Sequence, residues 1–166
     1  MPGETEDHIS LKAKIENWLD AEGIAFNQVP DMNSFFHLQA NMKNLPIHIN
    51  ESKVRRGVLA VQGSVEPSEE QLFRIQKTSD ADKKTLFQTI FALLDKSEYL
   101  FMLQENFSSK SWLKIQRTLY IEDLTRTNLL TEIKDLNTKF VNINYALNES
   151  LNEIVDKAGK ENPVYS

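Results

Sequence analysis

The sequence contains no cysteine. Disulfides, thiolate nucleophiles and thiolate metal sites are excluded together, so packing and backbone hydrogen bonds must hold the fold. A reducing cytoplasmic setting suits such a chain. Glycine is scarce, with five residues at positions 3, 23, 57, 63 and 159. They never reach the G-x-G-x-x-G or G-x-x-x-x-G-K-[ST] spacing with which backbone amides cradle phosphate, so nucleotide binding by such loops is excluded. A G-x-S-x-G elbow is missing, and no Ser, His and carboxylate are singled out by spacing as a triad. Long apolar runs are missing as well. Runs such as Val58–Val61 and Tyr99–Leu103 fall far short of the ~20 residues that cross a bilayer. The opening MPGETEDHIS carries acid where a signal peptide carries a basic region. Residues 1–8 therefore read as a short frayed arm, with His8 solvated. An excess of cations is lacking too: 24 acidic residues stand against 19 Lys plus Arg, for a net charge of -5. That balance repels phosphate backbones and anionic lipid, so neither nucleic acid nor membrane insertion is expected.

What is present is enough for one core. With 166 residues, 40% of them hydrophobic, the chain falls in the size range of a single domain, expected to span 1–166 with a polar tail from 158. Leu11, Ile15, Trp18 and Leu19 form a helical stripe, and Gly23 follows as a natural C′ residue. Ile24–Val29 reads as a short strand closed by the turn residues Pro30–Asn33. Ser34–Met42 alternates, with Phe36, Leu38, Ala40 and Met42 on one face. Leu45–Asn50 and Val58–Val65 complete an antiparallel meander of three to four strands.

Pro67 precedes a Ser68-x-x-Gln71 capping box, and a second cap stands at Ser79–Asp82. One interrupted helix or two is expected over 68–96, containing Leu86, Phe87, Ile90, Phe91, Leu93 and Leu94. Tyr99–Phe107 and Trp112–Ile121 flank the polar Ser108–Ser111 and read as a hairpin. From Leu124 no Pro or Gly intervenes until Gly159, which predicts a long C-terminal helix. The fold class is thus α+β. Periodicity names Trp18, Phe36, Leu38, Phe87, Phe91 and Phe101 as core anchors.

Along the last helix, Leu129, Ile133, Leu136, Phe140, Ile143, Leu147, Leu151 and Ile154 form a near-heptad stripe. One reading lays it on its own sheet. The other follows from Asn137, Asn142, Asn144, Asn148 and Asn152, weak helix formers that ask for tertiary or partner packing. Phe140, Ile143, Leu147, Leu151 and Ile154 are then candidate partner-binding residues, self-complementary in a two-fold homodimer.

Candidate chemistry is thin. Strand pairing around Lys43-Asn44 places His37 near Asn50 and His48 near Gln39, so both imidazoles share a face. Asp31 or Glu51 is the nearest third ligand, with Glu51 on the opposite face by parity, so no metal site is expected. Lys53, Arg55 and Arg56 read as a solvated inter-strand link, or as a docking point for a carboxylate-rich peptide. Glu69-Glu70 and Glu122-Asp123 read as capping acids.

The segments LKAKIENWLDAEGIAF, FFHLQANMKNLPIHI, GVLAVQGSVEPSEEQLFRI, EYLFMLQENF and WLKIQRTLYIEDLTRTNLLTEI carry a resemblance over about residues 8–150. In that order of helix, strands, helix, strands and helix, the chain resembles the type III secretion chaperone-like superfamily, including the YbjN-like proteins. Within it, the similarity is to an uncharacterised, mainly archaeal branch, a domain of unknown function. The resemblance implies a small acidic protein, often a homodimer, that presents sheet and helix surfaces to a partner polypeptide. It supplies no catalytic, cofactor-binding or metal-ligating residue. The long Asn-rich last helix departs from the secretion chaperones. The expectation is a non-enzymatic, cytoplasmic protein-binding or chaperone-like module. The alternative is a small-ligand binder or enzyme with a pocket between the sheet and the central helix, around Phe36, Leu38 and Phe91.

Overall fold

In the computed structural model the described residues are 2–43, 45–94, 100–103 and 113–161. The chain begins with helix α1 (Pro2–Ala21) and a meander of β1 (Phe26–Gln28), β2 (Ser34–Met42), β3 (Leu45–Ser52) and β4 (Val58–Val65). Helices α2 (Glu69–Lys77) and α3 (Asp80–Leu94) follow, then strands β5 (Leu100–Leu103) and β6 (Leu113–Tyr120). A 3-10 turn, Ile121–Asp123, leads into α4 (Arg126–Glu161). This is the α+β order the sequence predicts. The sheet runs β1-β2-β3-β4-β6-β5. The expected turn at Ser108–Ser111 lies outside the described residues.

Local chemistry accounts for the boundaries. Gly23 ends α1 at φ +69°, a left-handed conformation that a Cβ resists. With it, Gly23 N–H bonds Asp20 O and Ile24 N–H bonds Leu19 O, each at 3.0 Å, which is a Schellman closure. Ser68 and Gln71 form the predicted reciprocal cap of α2. Ser79 accepts from the Asp82 N–H at 3.2 Å and so opens α3 as a separate helix. Thr125 and Asn128 cap α4 in the same reciprocal way, at 3.2 and 2.8 Å. The last helix spans 36 residues, about 54 Å at 1.5 Å per residue. It continues through Gly159, where the sequence suggested a stop.

The chain divides into two compact units. The first comprises Met1–Gly63, Tyr99–Phe101 and Ile115–Asn137. In it the buried apolar side chains of β2 are Phe36, Leu38 and Ala40, those of β3 are Ile47 and Ile49, and α1 contributes Ile15 and Leu19. The β2–β3 register pairs His37 with Asn50 and Gln39 with His48, as strand parity required. Ser34 pairs with Ser52 but Phe36 pairs with Glu51, so Phe35 is an extra residue in a bulge. Glu22, just past α1, accepts from Arg126 at 2.7 Å and Lys134 at 3.4 Å. Those hydrogen bonds hold its carboxyl below the ordinary glutamate range.

The second unit comprises Ser64–Glu98, Met102–Lys114 and Thr138–Ser166. Its buried side chains include Ile75, Leu86, Ile90, Leu94, Phe140, Ile143, Leu147 and Leu151. Three expected core anchors need correction. Along α3 the buried stripe is Leu86, Ile90 and Leu94, one residue off the phenylalanines, which leaves Phe87 and Phe91 half-buried on its flank. Trp18 is likewise half-buried. Phe36 and Leu38 are core as expected, and the side chain of Phe101 lies outside the described residues.

Candidate docking groove

The groove is built by helices of the second unit. On α2, Phe73 and Ile75 stand about 200° apart at 3.6 residues per turn, so they cannot share a face. Ile75 is buried, which turns Phe73 outward to 55% exposure. Two hydrogen bonds lay α2 along α4. Gln71 Nε2 donates to Asn148 Oδ1 at 2.6 Å and Arg74 Nη2 donates to Asn152 Oδ1 at 3.1 Å. One helical turn further, Val155 is 53% exposed beside half-buried Ile154.

Between these walls opens a cavity of about 410 Å³. Its apolar lining comes from Phe73, Leu151, Ile154, Val155 and Ala158. Arg74, Lys77 and Lys157 also line it, against the single carboxylate of Asp82. The Lys77 ammonium lies 4.1 Å from the centre of the Phe73 ring. Lys157 Nζ is 3.9 Å from Asp82 Oδ1, a long contact for an ion pair.

The five residues expected to receive a second copy sit differently. Phe140, Ile143, Leu147 and Leu151 are at most 1% exposed within the chain itself, and Ile154 is half-buried at the groove. Four of the five are thus buried within a single copy of the chain. Of the five asparagines, Asn148 and Asn152 accept side-chain hydrogen bonds from α2. Phe73 was missed as a surface residue. Its two-residue spacing from Ile75 was the available signal.

The first unit carries a polar network on β2 and β3. Ser34 Oγ donates to Asp31 Oδ2 at 2.6 Å, and Asn50 Nδ2 donates to Ser34 Oγ at 3.2 Å. His37 Nδ1 lies 3.2 Å from the same Asp31 oxygen, and His37 Nε2 lies 2.9 Å from His48 Nδ1. An ionised carboxylate only accepts, so His37 Nδ1 carries a proton. In the neutral ring Nε2 then accepts from His48 Nδ1–H. The Ser34 hydroxyl, then the Asn33 N–H and His37, hold the Asp31 carboxyl below the ordinary aspartate range. Asn50 Oδ1 and Thr118 Oγ1 are buried without a hydrogen-bond partner, beside a polar cavity of about 230 Å³ lined by both residues. Among the described residues, no three His, Cys, Asp or Glu are grouped to hold a metal ion.

His8 is not solvated. Its Nδ1 lies 2.7 Å from Glu51 Oε2, and its ring stacks on Phe35 at 3.6 Å between centroids. Glu51 is only 2% exposed, on the face away from His37 and His48. This contact joins residues 43 apart in sequence, and periodicity carries no trace of it. Arg55 and Arg56 are exposed, with Arg56 lying over Phe35 at 5.7 Å, while Lys53 Nζ donates to Met32 O at 2.9 Å.

A family model described as an uncharacterized conserved protein, DUF2299, matches residues 11–146. No curated protein matches the chain in sequence. Among solved structures, an uncharacterized protein from Methanothermobacter thermautotrophicus is similar at TM-score 0.76 and 19% identity, over 84% of this chain and 98% of that one. The HopA1-SchA chaperone-effector complex contains a chain similar at TM-score 0.54 and 14% identity, over 82% and 94%. YbjN from E. coli is similar at TM-score 0.48 and 12% identity, over 86% and 93%. At such identities the first two likenesses concern fold alone. No described helix is long and apolar enough to cross a membrane.

Proposed function

For a chain that belongs to the uncharacterized conserved family DUF2299, we propose a non-enzymatic, protein-binding role of the chaperone-like kind, exercised through the groove of the second unit. The observation that carries it is the exposure of Phe73 and Val155, 55% and 53%, at the mouth of a 410 Å³ cavity. An apolar-lined cleft with a few charged groups at its edge suits the holding of a partner's side chain. The lining holds one carboxylate and no histidine or tyrosine, which suits holding a partner better than acid–base work. A related fold occurs in a chaperone-effector complex, and that analogy supports the reading at the level of fold. A cytoplasmic setting suits the cysteine-free composition. The alternative reading is a small-ligand binder or enzyme with a pocket around Phe36, Leu38 and Phe91. Phe36 and Leu38 are 4% and 0% exposed and line none of the described cavities.

The test is selection of a random peptide library displayed on mRNA against the intact chain, with counter-selection against Phe73→Glu. Peptides that bind the native chain and lose that binding in the variant support the reading. A selection that enriches nothing dependent on Phe73 overturns it.

A further inference from the structure

We propose that the occupant of the groove is an acidic amphipathic helix. Its apolar side chain seats against Phe73, Ile154 and Val155, and its carboxylates meet Arg74, Lys77 and Lys157. The inference rests on the protein-binding reading above and adds the chemistry of the partner.

Charge is the first argument. The chain carries a net charge of -5, yet the groove is lined by three cations and one carboxylate. The local sign is inverted relative to the molecule. A second copy of the chain, itself acidic, meets long-range repulsion, whereas an acidic segment that reaches the groove meets attraction.

The cations are placed to re-pair. Lys77 is held over the Phe73 ring at 4.1 Å, and Lys157 reaches Asp82 at 3.9 Å. Such surface contacts are weak. Arg74 spends one donor on Asn152, and a guanidinium has five. The nearby Glu153 lines the adjoining cleft with Thr85 and Thr89.

Shape is the second argument. Leu151, Ile154, Val155 and Ala158 follow i, i+3, i+4, i+7 spacing along α4, so the apolar floor runs along that helix axis. The opposing wall is α2, again a helix. Two helical walls with an apolar floor and charged lips are the geometry of helix-in-groove recognition, read by anchors at the same spacing. A volume of 410 Å³ lies within the range of about 300–1,000 Å³ typical of ligand clefts.

Three capped, fluorescein-labelled peptides of about 15 residues test this, long enough for partial helicity. Each carries leucine at i, i+3, i+4 and i+7, with Glu, Gln or Lys at the flanking positions. Anisotropy is measured with the full chain at about 50 mM and about 500 mM salt. The Glu peptide is expected to bind at least ~10-fold more tightly than the Gln peptide at low salt, with the Lys peptide weakest and the differences shrinking at high salt. Lys77→Glu with Lys157→Glu should reverse that order, and Phe73→Ala should weaken every peptide. If the charge-reversed variant fails to fold, Lys77→Gln with Lys157→Gln should abolish the preference instead. Equal binding of all three peptides, lost in Phe73→Ala, overturns the acidic partner and leaves protein binding standing. No Phe73-dependent binding by any peptide overturns both. Self-association abolished by the charge-reversed variant assigns the groove to a second copy and also overturns the proposal.

Discussion

Replacing Leu147 and Leu151 with aspartate separates two uses of the stripe on α4. If these residues dock a second copy, the double variant is a folded monomer. The structure predicts loss of the fold. Leu147 is 0% and Leu151 1% exposed, and truncation of such a leucine to alanine removes about 2–5 kcal/mol. Aspartate adds an unpaired charge in the interior, a further penalty of several kcal/mol per site. Two such changes together approach or exceed the roughly 5–15 kcal/mol that stabilises a typical domain. Tyr145→Ala and Val141→Ala provide the control on the same helix. At 67% and 49% exposure, each should change stability by no more than about 0.5 kcal/mol. Urea titration followed by circular dichroism gives the midpoints, and sedimentation velocity gives the state of the native and double-variant chains. A double variant that sediments as a folded monomer, with a near-native midpoint, would refute the assignment of these leucines to the core.

Other outcomes follow from the first unit. His8→Ala removes the partner of a carboxylate that is 2% exposed, and should cost about 1–3 kcal/mol. In a Glu51→Gln background the same change should cost clearly less, and simple additivity in that double-mutant cycle would deny the contact. Asp31 has a depressed folded pKa, so its contribution is present above the unfolded aspartate value and is lost as pH falls through the folded one. Urea midpoints measured from pH 6 down to pH 3 should therefore fall less for Asp31→Asn than for the native chain, and parallel profiles would exclude the linkage. Calorimetric titration with zinc should show no stoichiometric binding at His37 and His48, because His37 turns one ring nitrogen to Asp31 and the other to His48, so the three groups do not converge on one point. Submicromolar one-to-one binding, lost on changing both histidines to alanine, contradicts this.

What the sequence made legible was what period and local chemistry encode. Alternation marks β2 from Ser34 to Met42, and the turn at Lys43, φ +46°, fixes which histidine faces which amide. Ser68 and Gln71 announce α2 because the two groups that cap it are three residues apart. The apolar breadth of α3 offers several stripes, and the phenylalanines drew the choice away from Leu86, Ile90 and Leu94 by hydrophobic size alone. Contacts between distant segments left no periodic mark. His8 meeting Glu51, and Asn148 meeting Gln71 across 77 residues, depend on tertiary placement. The groove emerges in the same way. Its exposed ring was visible only as a mismatch of angle with Ile75 on a short helix, and its cations are contributed by segments about 80 residues apart in sequence, each unremarkable by itself.

The lysine over Phe73 has a consequence for how the molecule behaves when nothing is bound. A bare aromatic ring on a surface promotes indiscriminate sticking, and a charge beside it is one of the means by which proteins suppress clumping. At 4.1 Å the Lys77 ammonium shades the ring with a strongly hydrated group. A purely greasy encounter must strip that hydration with nothing to replace it, whereas a carboxylate can draw the ammonium aside while satisfying it. In the unbound chain the guard against that sticking is a single flexible side chain one helical turn from the ring it covers.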